Sequence, residues 1–174
     1  MLSLTLQKEL KLAEHSRYLK RLQAEALTDE LTQVYNKRGW EKLLQAEEKR
    51  TRRYGHSSAI YVVDLDGLKE INDTCGHLAG DELIRQTTQI LRHSVRTEDV
   101  VARLGGDEFA TLTIETSEAE ANVVKERIQQ APINNQVEAS VGVAIRLPVT
   151  GLKEAFRLAY QQMYVHKRSK QDQG

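Results

Sequence analysis

A single cysteine, two prolines and an aromatic content of 5% set the first limits on this 174-residue chain. One cysteine, Cys75, excludes an internal disulfide and fits a reducing compartment. It reads as a small half-buried filler in preference to a thiol nucleophile. No apolar run approaches the roughly 20 residues that cross a bilayer, and no signal-peptide pattern opens the chain, so no membrane partner and a cytoplasmic location are expected. An excess of charge is missing as well: 25 Lys and Arg balance 25 Asp and Glu. Without a global field no nucleic-acid partner is expected, and an anionic ligand has to be held by a local site.

What is present suits a soluble globular domain with one appended element, with 40% hydrophobic and 29% charged residues. Residues 1–27 carry no Gly or Pro and place Leu12, Leu19, Leu22 and Ala26 at heptad-like spacing. This predicts an amphipathic helix, either a dimerising stalk or a helix docked on its own domain. The turn-rich "TDELTQVYN" (28–36) sets the boundary, leaving a domain at 28–174. Asn36 is the expected N-cap of a helix to about Tyr54, closed by Gly55. A buried strand is expected over 57–66 and a helix from about Ala79 to Val95. Strands near 99–104 and 107–114 flank Gly105-Gly106 as a hairpin. Ser117 and Glu120 form a capping box, "VEASVGVAI" (137–145) reads as a strand, and Leu152 to about Lys170 as the last helix. That order argues for an α/β fold: a sheet containing a β-hairpin, with helices packed on it.

Two acidic pairs carry the chemistry. Asp64 and Asp66 end the buried strand at i and i+2, on one face, where a carboxylate needs a positive partner. Asp66, before Gly67, serves equally well as a turn cap. If the hairpin lies beside that strand, Asp107 and Glu108 join Asp64, and three converging carboxylates call for a cation. Hard oxygen donors suit Mg²⁺ or Mn²⁺, with Asp107 the better ligand and Glu108 the second. Gly105 and Gly106 are expected to supply positive φ and room for a phosphate or ribose. Lys69 and the basic "HKRSK" with Lys167, Arg168 and Lys170 are candidates to meet phosphate, and Asn72 with Asp81 to read a base edge.

The stretches "RLGGDEF" (103–109) and "DLDGLKEINDTCGHLAGD" (64–81) together resemble the GGDEF domain of bacterial diguanylate cyclases. The likeness runs over about residues 25–170, with "LTDELTQVYNKRGW" at its start and "AYQQMYVHK" (159–167) near its end. The resemblance implies a palm-like fold akin to nucleotidyl cyclases. It also implies Mg²⁺-dependent condensation of two GTP into cyclic di-GMP by an antiparallel homodimer. Residue by residue, it implies metal binding by Asp64, Asp107 and the Leu65 carbonyl, with Asp107 and Glu108 activating the ribose 3′-hydroxyl. Asn72 and Asp81 would recognise guanine with His77 beside them, and Lys69 and Lys167 would hold the triphosphate. "RTED" matches the family's product-inhibition motif, making Arg96 and Asp99 a site for cyclic di-GMP.

The chain departs from the family at three places. Leu68 stands for the usual Phe, "QVY" (33–35) for Gly-Leu-Pro, and Gln171 for the phosphate-binding Arg, with Lys170 next to it as a point charge. These departures leave a second reading, a non-catalytic module that binds cyclic di-GMP or GTP as an effector.

Overall fold

The structure, a computed structural model, describes residues 4–131 and 138–172. Among these the elements run α1 (Leu4–Glu25), α2 (Lys37–Tyr54), β1 (Ser58–Leu65), α3 (Leu68–Cys75), α4 (His77–Ser94), β2 (Val100–Arg103), β3 (Glu108–Ile114), α5 (Glu118–Gln130), β4 (Ala139–Ile145) and α6 (Gly151–Gln171). Residues 1–3 of the first expected helix, Val137 of the last expected strand and the end of the 28–174 domain at 173–174 lie outside the described residues.

The strands form one sheet in the order β2-β3-β1-β4, antiparallel throughout. β1 is buried along its whole length, which its continuous apolar run requires. Its alternate side chains feed two cores. Ala59, Tyr61, Val63 and Leu65 pack with Leu83 and Leu91 of α4 and Ile128 of α5. Ile60 and Val62 pack with Trp40 of α2 and with Leu152, Ala159 and Met163 of α6. Helices therefore cover both faces, and each fully buried aliphatic side chain contributes about 2 kcal/mol. Helix α6 lies so close to β4 that a Cβ on Gly142 would sit 1.9 Å from the Ala159 carbonyl oxygen. Any side chain there forces the helix off the sheet.

The expected caps are in place: Asn36 accepts from the Gly39 N–H, Gly55 ends α2 at φ 74°, and Ser117 with Glu120 closes a capping box on α5. Four expectations need correction. α3 falls where no helix was expected, because Gly67 and Gly76 (φ 87° and 86°) bracket only eight residues of periodic pattern. α4 starts at His77, earlier than Ala79. Asp107 lies in the hairpin turn, with β3 starting at Glu108. Cys75, expected to be half-buried, is exposed. On α1, Leu12 is 76% exposed and Leu6, Leu10, Leu19 and Leu22 are exposed with it.

β4 is an edge strand, and α6 covers its outward N–H groups. Val141 donates to His166 Nδ1 (3.1 Å) and Val143 to Gln162 Oε1 (3.3 Å). Burial, with Lys170 and Lys125 nearby, holds the His166 imidazole below its ordinary 6.5, against the pull of Asp66. The unfolded chain then binds this proton more readily than the folded one. The stability His166 contributes is complete above about pH 6.5 and is lost as pH falls through the lower folded value. Thermal melts between about pH 7.5 and 5 should show a fall in midpoint that is flatter in His166→Gln, whose amide oxygen can still accept from Val141.

Candidate active site

The ladder between β1 and β3 sets Asp64 directly opposite Glu108, and that between β1 and β4 sets it opposite Ser140. Cross-strand partners share a face, so Asp64 and Glu108 both look toward α6. Asp64 is only 4% exposed and is paired with Lys167 Nζ. Glu108 Oε1 accepts from the Tyr160 hydroxyl at 2.9 Å. Asp66 accepts from Ser140 Oγ (2.8 Å) and Lys170 Nζ (3.1 Å), so it joins this row and is not a turn cap. Helix α6 thus presents Tyr160, Lys167 and Lys170, two turns and then one turn apart, to a row of three carboxylates. Lys170 also bonds Glu138 and the Ala139 carbonyl (3.0 and 2.9 Å).

Desolvation pushes the Asp64 carboxyl up, the Lys167 bond pulls it down, and the charges of Asp107 and Asp66 push it up again; the result is upward. Burial opposes the Lys167 ammonium, but Asp64, Asp107 and Asp66 outweigh burial and raise it. Lys167 therefore stays charged. Burial is the largest single influence on each group, and the neighbouring carboxylates add to the rise of both.

Asp107 is held by its backbone, its carbonyl accepting from the Leu65 N–H (3.0 Å). The expectation is that Asp64, Asp107 and Glu108 converge on one ion. Among the described residues no three His, Cys, Asp or Glu side chains are grouped closely enough to hold a metal together. Glu108 is drawn to Tyr160 instead. Asp64, Asp107 and the Leu65 carbonyl, which follows Asp64 in sequence, are hard oxygens and fit a hard divalent cation.

The glycines also differ from expectation. Neither Gly105 nor Gly106 has positive φ, and a Cβ on either would meet nothing within 4 Å. The turn is instead held by Arg103, which donates to the Gly105 and Gly106 carbonyls (both 3.0 Å) and pairs with Asp29 (3.2 Å). Asp29 in turn accepts from the Thr32 N–H and hydroxyl. Sequence reading missed Asp29, Arg103, Ser140 and Tyr160. Helical spacing from Lys167 would have found Tyr160 two turns away.

The expected base-reading residues gather at the α3–α4 corner. The Asn72 amide sits against Gly80, where a Cβ would lie 2.0 Å from Oδ1, and Asp81 follows at once. Asn72 and Asp81 are half-buried, whereas Lys69 and His77 are exposed. Gln171, in the last turn of α6, is exposed.

Arg96 and Asp99 line one cavity of about 710 Å³, along with Arg92, Gln33 and Tyr35. They do not pair with each other through their side chains. Asp99 accepts backbone N–H groups from Arg96 (2.8 Å) and Ile114 (3.0 Å), and the Arg96 guanidinium faces Glu120 at 3.5 Å.

The family model "Diguanylate cyclase, GGDEF domain" matches residues 26–173. The probable diguanylate cyclase DgcC of Escherichia coli K12 is 37% identical over 139 residues, covering 80% of this chain and 37% of that protein. The chain thus spans little more than a third of that relative's length. The coiled coil and GGDEF domain of DgcB from Caulobacter crescentus, solved with c-di-GMP, superposes with a TM-score of 0.83 at 22% identity, covering 95% of this chain and 93% of that one. The GGDEF domain of PA1120 (TpbB or YfiN) from Pseudomonas aeruginosa gives 0.71 at 33% identity, covering 82% and 89%. With a model match over most of its length, this chain belongs to the diguanylate cyclase GGDEF domain family.

Proposed function

We propose that this domain condenses two GTP into cyclic di-GMP, releasing two pyrophosphates. The observation that carries the reading is the register that sets buried Asp64 beside the hairpin bearing Asp107 and Glu108. Two glycines that the fold does not need leave that hairpin bare for a ligand. In each half-reaction a ribose 3′-oxygen attacks the α-phosphorus of the other GTP, the α–β bridging bond breaks, and the hydroxyl proton passes to a carboxylate of the hairpin. Asp64, Asp107 and the Leu65 carbonyl would hold Mg²⁺ or Mn²⁺, which when bound lowers the hydroxyl pKa and neutralises the leaving pyrophosphate.

The chain's own residues do the rest. Asn72 and Asp81 bind guanine, with His77 at the rim. Lys167, kept charged by its acidic neighbours, would meet the triphosphate beside Asp64, and Lys69 would add charge from α3. Each domain holds one GTP, so two copies must face each other as an antiparallel homodimer. The exposed leucines of α1 give those copies a surface to pair on. Purified protein with GTP and Mg²⁺ should yield cyclic di-GMP by chromatography, and product at no protein concentration would exclude the reading.

The Arg96–Asp99 cavity supports product inhibition. Arg96→Ala should raise the inhibition constant for cyclic di-GMP by at least about tenfold, the value of a lost charge-assisted bidentate contact. Arg96 is the cleaner choice, because Asp99 also holds two backbone N–H groups. An effector reading is favoured by Gln171 in place of the family's phosphate-binding Arg. It predicts cyclic di-GMP binding that Arg96→Ala weakens, with no turnover of GTP.

A further inference from the structure

We propose that Tyr160 is a positioning residue that sets how tightly the carboxylate row takes a divalent cation, by holding Glu108 in competition with that cation. The inference rests on the metal set proposed above, Asp64 and Asp107. In the structure one helix already engages both members of the β1–β3 pair. Lys167 holds Asp64, and the Tyr160 hydroxyl, two turns earlier on α6, donates to Glu108 Oε1 at 2.9 Å.

Glu108 stands directly opposite Asp64 in the ladder. Cross-strand partners have Cβ atoms about 4.5–5.5 Å apart, and hard divalent ions bond carboxylate oxygens at about 2.0–2.6 Å. Glu108 therefore has the reach to join Asp64 on one ion. Among the described residues, however, no three such side chains are gathered, and the contact that draws Glu108 aside is Tyr160. Packing fixes that hydroxyl in place. The Tyr160 ring meets Phe156 edge-on at 6.5 Å, and Phe156 packs at 5.8 Å against Trp40 of the α2–α6 core. A tyrosine has few rotatable bonds to freeze, so holding its hydroxyl there costs little entropy. The two contacts from α6 differ in kind. The Lys167 ammonium neutralises Asp64, whereas a neutral phenol leaves Glu108 anionic and open to a cation once one hydrogen bond breaks.

Mn²⁺ alone is the probe, titrated through the loss of its free electron-resonance signal, so the test needs no turnover. Tyr160→Phe keeps the ring against Phe156 and removes only the donor. Tyr160 is 38% exposed, so the variant should fold as wild type. It should bind Mn²⁺ about threefold to tenfold more tightly, the scale of one hydrogen bond removed from the competition. In the Glu108→Gln background the same change should leave Mn²⁺ affinity unaltered, because the competing carboxylate is gone. An effect of the phenol on packing alone would act equally in both backgrounds, and that result overturns the proposal. Unchanged or weaker Mn²⁺ binding in Tyr160→Phe, with wild type binding normally, overturns it as well and leaves the metal set standing. Wild-type protein that binds no Mn²⁺ would remove the metal set itself, and the proposal with it.

Discussion

Asp107→Asn should lower cyclic di-GMP formation by about 10²–10⁴-fold, the scale on which a positioned charge or proton acceptor contributes to a transition state, while leaving the fold unchanged. The structural half of that expectation follows from how Asp107 is anchored. Its carbonyl, not its carboxylate, bonds Leu65, and the isosteric amide preserves that link. The chemical half follows from its charge, which reaches both Asp64 and Lys167. Removing it relieves Asp64, weakens the site's demand for a cation and loosens the hold on Lys167. Glu108→Gln should cost less. Glu108 stands opposite Asp64 but spends one oxygen on Tyr160, and an amide oxygen accepts that hydroxyl equally well. Steady-state rates of the two variants, with melting curves as controls, decide the ranking. Asp107→Asn at wild-type rate would remove the hairpin acid from the mechanism.

How much of this was legible in the sequence follows from the range of each interaction. β1, the hairpin and the caps of α2 and α5 rest on contacts within a few residues, and local pattern found them. The Asp64–Glu108 register spans 44 positions, yet only the carboxylates' residue types were needed to place them at neighbouring strand ends. What local pattern could not supply was the helix opposite. Lys167–Asp64 and Lys170–Asp66 join residues 103 and 104 positions apart. Local pattern offered Lys167 only as a partner for phosphate, and its pairing with Asp64 came from the structure. The same holds for Gly105 and Gly106: a glycine pair usually signals positive φ, but Arg103 fixes this turn through the carbonyls, leaving the glycines conformationally ordinary. α3 escaped because eight residues between glycines are too few to show a helical period.

Glu48→Ala should destabilise the domain by about 3 kcal/mol or more, the cost of leaving a buried charge without its partner. The Arg146 side chain is 4% exposed, and both Nε and Nη2 bond Glu48, at 3.0 and 2.9 Å. The same carboxylate accepts the Leu152 N–H (2.8 Å) in the first turn of α6, so one residue of α2 ties together the end of β4 and the start of α6. These bonds hold the Glu48 carboxyl below its ordinary value, the Arg146 bond contributing most. Loss of about 3 kcal/mol in a chain of this size lowers the melting midpoint by about 6–12 °C. The expectation separates stability from chemistry, because Tyr160, Lys167 and Lys170 lie further along the same helix. If Glu48 only anchors that helix, Glu48→Ala assayed well below its midpoint should keep most of its turnover. If the clamp also sets the register of α6 against the carboxylate row, turnover should fall together with the melting temperature, and Glu48→Asp, with its shorter reach to Arg146, should fall between wild type and alanine in both measurements.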